Sequence, residues 1–227
     1  MAVAVLTAFF AGSAFAATVS PDVMVSPPPL PGQVWYNTAQ AEPAVAANPT
    51  NPDNIIVGYA DFRGEPPCFF AASLQHTVCQ LSPTGSLDGL AVSFDGGVSW
   101  KRSLLPPNPA ANAMSVHGDE IVAFGPLLQS DGSFKYLAAN GAPAARAYYL
   151  SLSNLVAGDP QWSVNIFTSD DQGVTWSGPR IISLTNALKE SGFREDKPYM
   201  TVDTNPSSPN FGHVYIGYTN LTKVGTR

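Results

Sequence analysis

Ser93-Phe94-Asp95-Gly96-Gly97-Val98-Ser99-Trp100 returns 76 residues later as Ser169-Asp170-Asp171-Gln172-Gly173-Val174-Thr175-Trp176. The shared pattern, S-x-D-x-G-x-[ST]-W, is that of a tight hairpin. Asp95 and Asp171 stand where a carboxylate accepts hydrogen bonds from turn amides. Gly97 and Gly173 supply the positive φ that such a turn requires. Trp100 and Trp176 open the returning strand and bury a large apolar surface beneath the turn. With Ser93 and Ser169 at their heads, these eight residues are read as structural and not as a catalytic constellation.

A second motif keeps nearly the same spacing, and self-similarity at a fixed period marks a repeat architecture. Glu42-Pro43-Ala44-Val45-Ala46-Ala47-Asn48-Pro49, Asp119-Glu120-Ile121-Val122-Ala123-Phe124-Gly125-Pro126 and Asp196-Lys197-Pro198-Tyr199-Met200-Thr201-Val202-Asp203 begin 77 residues apart. Each opens on an acid and runs into a short apolar strand. In the first and third copies a similar turn follows, Asn48-Pro49-Thr50-Asn51-Pro52 and Thr204-Asn205-Pro206-Ser207-Ser208-Pro209. The stretches 54–60 (NIIVGYA), 89–94 (GLAVSF), 134–139 (FKYLAA), 162–168 (WSVNIFT) and 213–219 (HVYIGYT) read as strands. Residues 147–153 (AYYLSLS) compete with 134–139, and 186–190 form the one brief helix candidate.

Composition agrees with a turn-rich β protein. The 227 residues include 21 Pro and 19 Gly, and only 12% are charged, which excludes coiled coils and acidic disordered tails. Lys and Arg number 11 against 17 Asp and Glu, a net charge of −6, so no basic stripe is present to neutralise phosphates and nucleic acid is not an expected partner.

Residues 1–16 (MAVAVLTAFFAGSAFA) are an apolar run ending in Ala14-Phe15-Ala16, the pattern of a secretory signal peptide, although no Lys or Arg precedes Arg63 to form a basic n-region. The run is too short for a good membrane span, so a secreted or periplasmic protein without a span after cleavage is expected. Residues 17–41 form a Pro-rich linker whose 21–31 stretch (PDVMVSPPPLP) has polyproline II character. In an exported protein Cys68 and Cys79, 11 positions apart, are either a disulfide or two thiols. His76, His117 and His213 are scattered and offer no zinc-ligand spacing.

The S-x-D-x-G-x-[ST]-W motifs resemble the Asp-box, or BNR repeat, of the sialidase superfamily, whose members are secreted β-propellers of four-stranded blades. The resemblance implies an all-β propeller in which the box joins the third and fourth strands of a blade. Blade one would occupy 42–105 (strands 42–48, 55–61, 89–94 and 98–104). Blade two would occupy 119–184 (strands 120–125, 134–139, 162–168 and 174–183), and blade three would start within 196–227 (198–203 and 213–219). Rings of this kind close with about 4–8 blades, so about two and a half blades form an incomplete arc and read as an N-terminal fragment.

The same resemblance implies a glycoside hydrolase, with an Arg-Ile-Pro motif opening the first blade strand. Its Arg clamps the sialic acid carboxylate, a task suited to a bidentate guanidinium. This chain has Ala41-Glu42-Pro43-Ala44 there, an acid in place of the Arg. Tyr59-Ala60-Asp61-Phe62-Arg63 is similar to the acid-x-Arg stretch that closes the second strand, which makes Arg63 the one site residue carried over. For the acid/base Asp of the following loop the chain offers Glu65 and Asp88.

The repeat suggests its own site. Glu42, Asp119 and Asp196 would open successive inner strands and face one mouth as an acidic arc. Such carboxylates do acid/base work on a glycosidic bond, hold a cation such as Ca²⁺, or pair locally with Lys197 or Arg194. Tyr36, Tyr59, Tyr199 and Tyr218 either stack on sugar rings or fill the core. Asn220-Leu221-Thr222 is an N-glycosylation sequon. Two functions follow as expectations: a sialidase-like protein, an exo-glycosidase in full-length form, acting on or binding extracellular carbohydrate or glycoprotein; or a non-catalytic propeller binding glycan or protein at the cell surface.

Overall fold

Apolar residues on both sides of a strand require a neighbour on both sides, and this requirement organises the molecule. The computed structural model describes residues 40–61, 69–71, 76–78, 88–105, 118–154, 162–182 and 193–222. Strands β1 (Gln40–Asn48) and β2 (Asn51–Asp61) are followed by a ribbon, β3 (Phe69–Ala71) with β4 (His76–Val78), and then by β5 (Asp88–Ser93) and β6 (Lys101–Leu104). The second repeat gives β7 (Ile121–Gly125), a ribbon of β8 (Leu127–Leu128) and β9 (Phe134–Lys135), then β10 (Arg146–Asn154), β11 (Trp162–Ser169) and β12 (Ser177–Ile181). A hairpin, β13 (Phe193–Val202) and β14 (Val214–Thr222), closes the series. Sheet one has the order β1-β2-β5-β6 and sheet two the order β7-β10-β11-β12. All pairings are antiparallel and the described residues contain no helix. The fold is all-β, built from antiparallel sheets.

Sheet two is the middle layer. On one face Val122, Phe124, Ala147, Tyr149 and Phe167 pack against Ile56, Leu90 and Val92 of sheet one. On the other, Tyr148, Leu150, Leu152, Val164 and Ile166 pack against Met200, Val202, Val214 and Ile216 of the hairpin. Full burial of each large apolar side chain contributes about 1.5–3 kcal/mol. Tyr149 keys the first seam. It is fully buried, its hydroxyl donates to the Gly89 carbonyl at 3.0 Å, and its ring stands edge-on to Phe167 and Trp176. A Cβ at Gly58 would lie 2.8 Å from that ring, so only glycine lets sheet one approach it.

Two strand expectations are corrected here. The second strand of sheet two is not 134–139 but Arg146–Asn154, which pairs with both β7 and β11. Its AYYLSL run offers two apolar faces for two seams, whereas Phe134-Lys135 is part of a two-residue ribbon soon broken by the turn at Asn140-Gly141. The fourth strands also begin later than 98 and 174, because the box turn extends as far as the Trp. The helix candidate at 186–190 lies outside the described residues.

The two S-x-D-x-G-x-[ST]-W segments form the β5–β6 and β11–β12 connections. Asp95 accepts from the Ser93 hydroxyl at 2.8 Å, the Ser99 amide at 2.8 Å and the Ser99 hydroxyl at 2.6 Å. Asp171 repeats this with Ser169 at 2.7 Å and Thr175 at 2.8 and 2.6 Å. These donors hold both carboxyls below the ordinary range: at Asp95 the Ser99 hydroxyl contributes most, and at Asp171 partial burial opposes the donors without prevailing. Gly97 (φ 93°) and Gly173 (φ 92°) are left-handed, and each Trp indole donates back to that glycine's carbonyl, at 2.9 and 3.0 Å. The second box also docks on sheet one. Asn54, fully buried, donates to the Ser93 carbonyl of its own sheet and the Gln172 carbonyl of the next, both at 3.1 Å.

Tyr149→Phe is expected to destabilise the protein by about 1 kcal/mol, the net worth of one hydrogen bond. Asp171→Ala, which strips the box turn of its acceptor, should lower the melting temperature. Thermal unfolding followed by circular dichroism checks both, and an unchanged melting curve would contradict them.

Candidate functional site

Three left-handed residues create the site. Glu42 (φ 54°) near the start of β1, Asp119 (φ 56°) just ahead of β7 and Lys197 (φ 47°) midway along β13 adopt a conformation rare for side chains other than glycine. In β1 and β13 they sit in a β-bulge, where the register slips between Ala41 and Ala44 and between Asp196 and Tyr199. A bulge re-aims a side chain away from the pleat. Here the three side chains turn towards one another: the Lys197 ammonium donates to Glu42 Oε1 at 3.0 Å and to Asp119 Oδ1 at 2.5 Å. The Lys197 amide donates to Asp119 Oδ2 at 3.1 Å and to Asp196 Oδ1 at 3.0 Å. One cation thus joins β13 to β1 and to the residue leading into β7.

The register corrects the expected acidic arc. Ala41 matches Asp196, and Glu42-Pro43 matches Lys197-Pro198, one place on from the acid-first alignment. The following turns agree, since Asn48 Oδ1 accepts from the Thr50 amide and Asp203 Oδ1 from the Asn205 amide in the same way. The structure therefore brings Glu42 and Asp119 together with Lys197 and gives Asp196 a neighbouring role through the Lys197 amide. Lys197 was legible only through Pro198, because the Pro, and not the acid, marks the register.

A cleft of about 260 Å³ opens over this triad, lined by Glu42, Asp119, Glu120, Ile121, Lys197, Pro198 and Tyr199. Burial pushes the Asp119 carboxyl up, but hydrogen bonds led by Lys197 outweigh it and leave the group below the ordinary range. Lys197 is raised by its bonds to Asp119 and then Glu42. Tyr199 is 72% exposed at the rim.

Glu120 breaks the repeat. It occupies the place held by Pro43 and Pro198, is 2% exposed, and neither carboxyl oxygen accepts a hydrogen bond among the described residues. Burial, followed by the charge of Asp88, pushes its carboxyl up to about 10. Asp88, fully buried at the start of β5, is pushed up to about 7 by burial, which outweighs hydrogen bonds from Ser151, Glu120 and the Gly118 backbone. The two carboxyls face each other across the seam between sheets one and two. Asp88, offered by the sequence for a loop acid/base position, stands instead at the start of β5, and the signal for Glu120 was a Glu replacing the repeat's Pro.

The other candidates separate. Tyr59 is buried at 3% exposure and Tyr218 is 36% exposed on β14. Arg63, Glu65, Cys68, Cys79 and Tyr36 lie outside the described residues. The box residues Asp95 and Asp171 sit at the strand ends opposite the cleft. Among the described residues no group of three or more His, Cys, Asp or Glu is placed to hold a metal ion, and Lys197 takes the position between the carboxylates that a cation would need. No helix of the described residues is long and apolar enough to cross a membrane.

Asp88 and Glu120 hold protons in the folded state that the unfolded chain releases at about pH 4. Their contribution to stability is therefore complete at low pH. It is lost as pH rises from that range through about 7 for Asp88 and about 10 for Glu120. The melting temperature should fall between pH 5 and pH 8, and Asp88→Asn should flatten the slope. A wild-type profile without slope in that window would contradict the protonated pair.

No family model matches the chain, and no curated protein matches it.

Proposed function

We propose that this chain is a secreted or periplasmic Asp-box β-propeller protein of sialidase type that binds extracellular carbohydrate at the cleft where its sheets converge. The propeller reading is supported by two four-stranded meanders and a hairpin whose first strands meet around Lys197, with both boxes at the far end. The observation that carries the binding reading is Tyr199, 72% exposed on the rim of a cleft that Glu42, Asp119 and Lys197 line together with Ile121 and Pro198. An exposed aromatic face beside fixed donors and acceptors suits a sugar ring, which has apolar C–H faces and a polar edge.

A hydrolytic reading has one observation in its favour. Glu120 is held protonated while Asp119, its chain neighbour, is held ionised, and carboxyls whose pKa values are pushed apart divide the roles of acid and base. Against it stands Lys197, which already occupies Asp119 and Glu42.

Titration calorimetry with a panel of oligosaccharides tests the binding reading. Tyr199→Ala should weaken binding about 10-fold, equivalent to 1.4 kcal/mol, without lowering the melting temperature. Wild-type protein that binds no member of the panel would refute the proposal. Catalytic release of free sugar, abolished by Glu120→Gln, would establish the hydrolytic reading in its place.

A further inference from the structure

The repeat register identifies the face that each sheet turns towards the next. With Glu42, Asp119 and Lys197 aligned, Ala46, Ala123 and Thr201 are equivalent, and so are their cross-strand partners Ile56, Tyr148 and Tyr215. In sheet one Ala46 and Ile56 pack against sheet two, and in sheet two Ala123 and Tyr148 pack against the hairpin. Ile56 is 1% exposed and Tyr148 6%, whereas Tyr215, in the same place on β14, is 48% exposed. The hairpin therefore turns to solvent the face with which both preceding sheets receive a following one.

The opposite face follows the same rule in reverse. Val122 and Met200 turn back onto the preceding sheet and are 7% and 9% exposed. Their equivalent in sheet one is Val45, 68% exposed, with Ala47 exposed on the same side of β1. Val57, across from Val45, packs with Tyr59, Ala91 and Trp100 of its own sheet, which confines the open part of this face to β1. Val45, Ala47, Thr201 and Tyr215 are all uncharged, so bringing the two faces together desolvates no ion at these positions. Positions that both internal seams bury are thus exposed on the first and last described sheets, and a repeat sheet buries its face only against a neighbour.

We propose that copies of this chain associate head to tail, the hairpin face around Tyr215 of one copy receiving the β1 face around Val45 of another. The contact repeats the seams already present and joins unlike surfaces, so it is heterologous. It goes beyond the carbohydrate reading and does not depend on it. Tyr199 stands on the same face nearer the cleft, and its equivalent Ile121 shows that one residue both packs in a seam and lines the cleft.

Light scattering on the full chain at increasing concentration, after size exclusion, tests this. The wild-type mass should rise above that of one chain. Val45→Glu and Tyr215→Glu, each placing a charge in one of the two faces, should each stay at the mass of one chain. An equimolar mixture of the two variants should recover a two-chain species, because each keeps the face that the other has lost. Circular dichroism melts check that both variants fold, and Val45→Thr or Tyr215→Thr, which keep a strand-forming side chain, replaces a Glu variant that melts early. Wild-type protein with the mass of one chain at every concentration would overturn the inference. A variant mixture no heavier than its components would overturn it too, since only a contact between unlike surfaces is restored by mixing. Oligosaccharide titration is read separately, so failure of the carbohydrate reading leaves these outcomes unchanged.

Discussion

The left-handed residue in β1, just ahead of β7 and in β13 is the constraint from which the cleft follows. Holding an ordinary side chain at φ near 50° costs on the order of 1–3 kcal/mol, and the following Pro43 and Pro198 restrict Glu42 and Lys197 further. The conformation persists because neighbours over-determine it. The bulge removes two residues from the ladder, so the missing Pro N–H costs no sheet hydrogen bond. The side chains it throws clear form a three-centre ion pair spanning all three sheets. In regular strands Glu42, Asp119 and Lys197 would lie on the pleat with their neighbours and would not converge.

Convergence at one end depends in turn on how the sheets stack. Sheet two is buried on both faces, and β10 shows it in one strand: Tyr149 and Ala147 face sheet one while Tyr148, Leu150 and Leu152 face the hairpin. Tyr149 fixes the separation of the first seam from above Gly58, and Asn54 fixes its far end by bonding both box turns. With both ends of the seam held, Asp88 of sheet one and Glu120 of sheet two cannot move apart to rehydrate. That is the physical reason their protons are retained.

Much of this was legible because turn chemistry is local. The two boxes specify their own hydrogen bonds from residues within seven positions, and the period they keep locates every strand that pairs with them. The errors arose where the deciding contact is distant. Phe134 and Tyr149 have equal strand propensity, and only the need to fill two seams selects Arg146–Asn154 for the sheet. Asp196 and Lys197 are both polar, so an acid-first alignment is as natural as the correct one until β14 supplies the register. Glu120 beside Ile121 looks like a solvated strand-start acid, because nothing in its own segment reveals Asp88 across the seam.

Glu120 is also where stability and chemistry part. Two of the three repeats place Pro at this point, a residue with no ionisable group and no donor to satisfy. A buried carboxyl that accepts no hydrogen bond is among the costlier substitutions a sheet head can carry. Retaining its proton beside Asp88 lowers that cost without removing it, since neither oxygen accepts a hydrogen bond among the described residues. Locally inconsistent residues in an otherwise consistent fold mark positions held for function. The neighbouring triad is consistent by comparison: both carboxylates bond the one ammonium, and both bulges are flanked by regular pairing. The asymmetry argues that Lys197, Glu42 and Asp119 build the cleft, and that Glu120, buried against Asp88 behind it, is the residue that departs from the repeat.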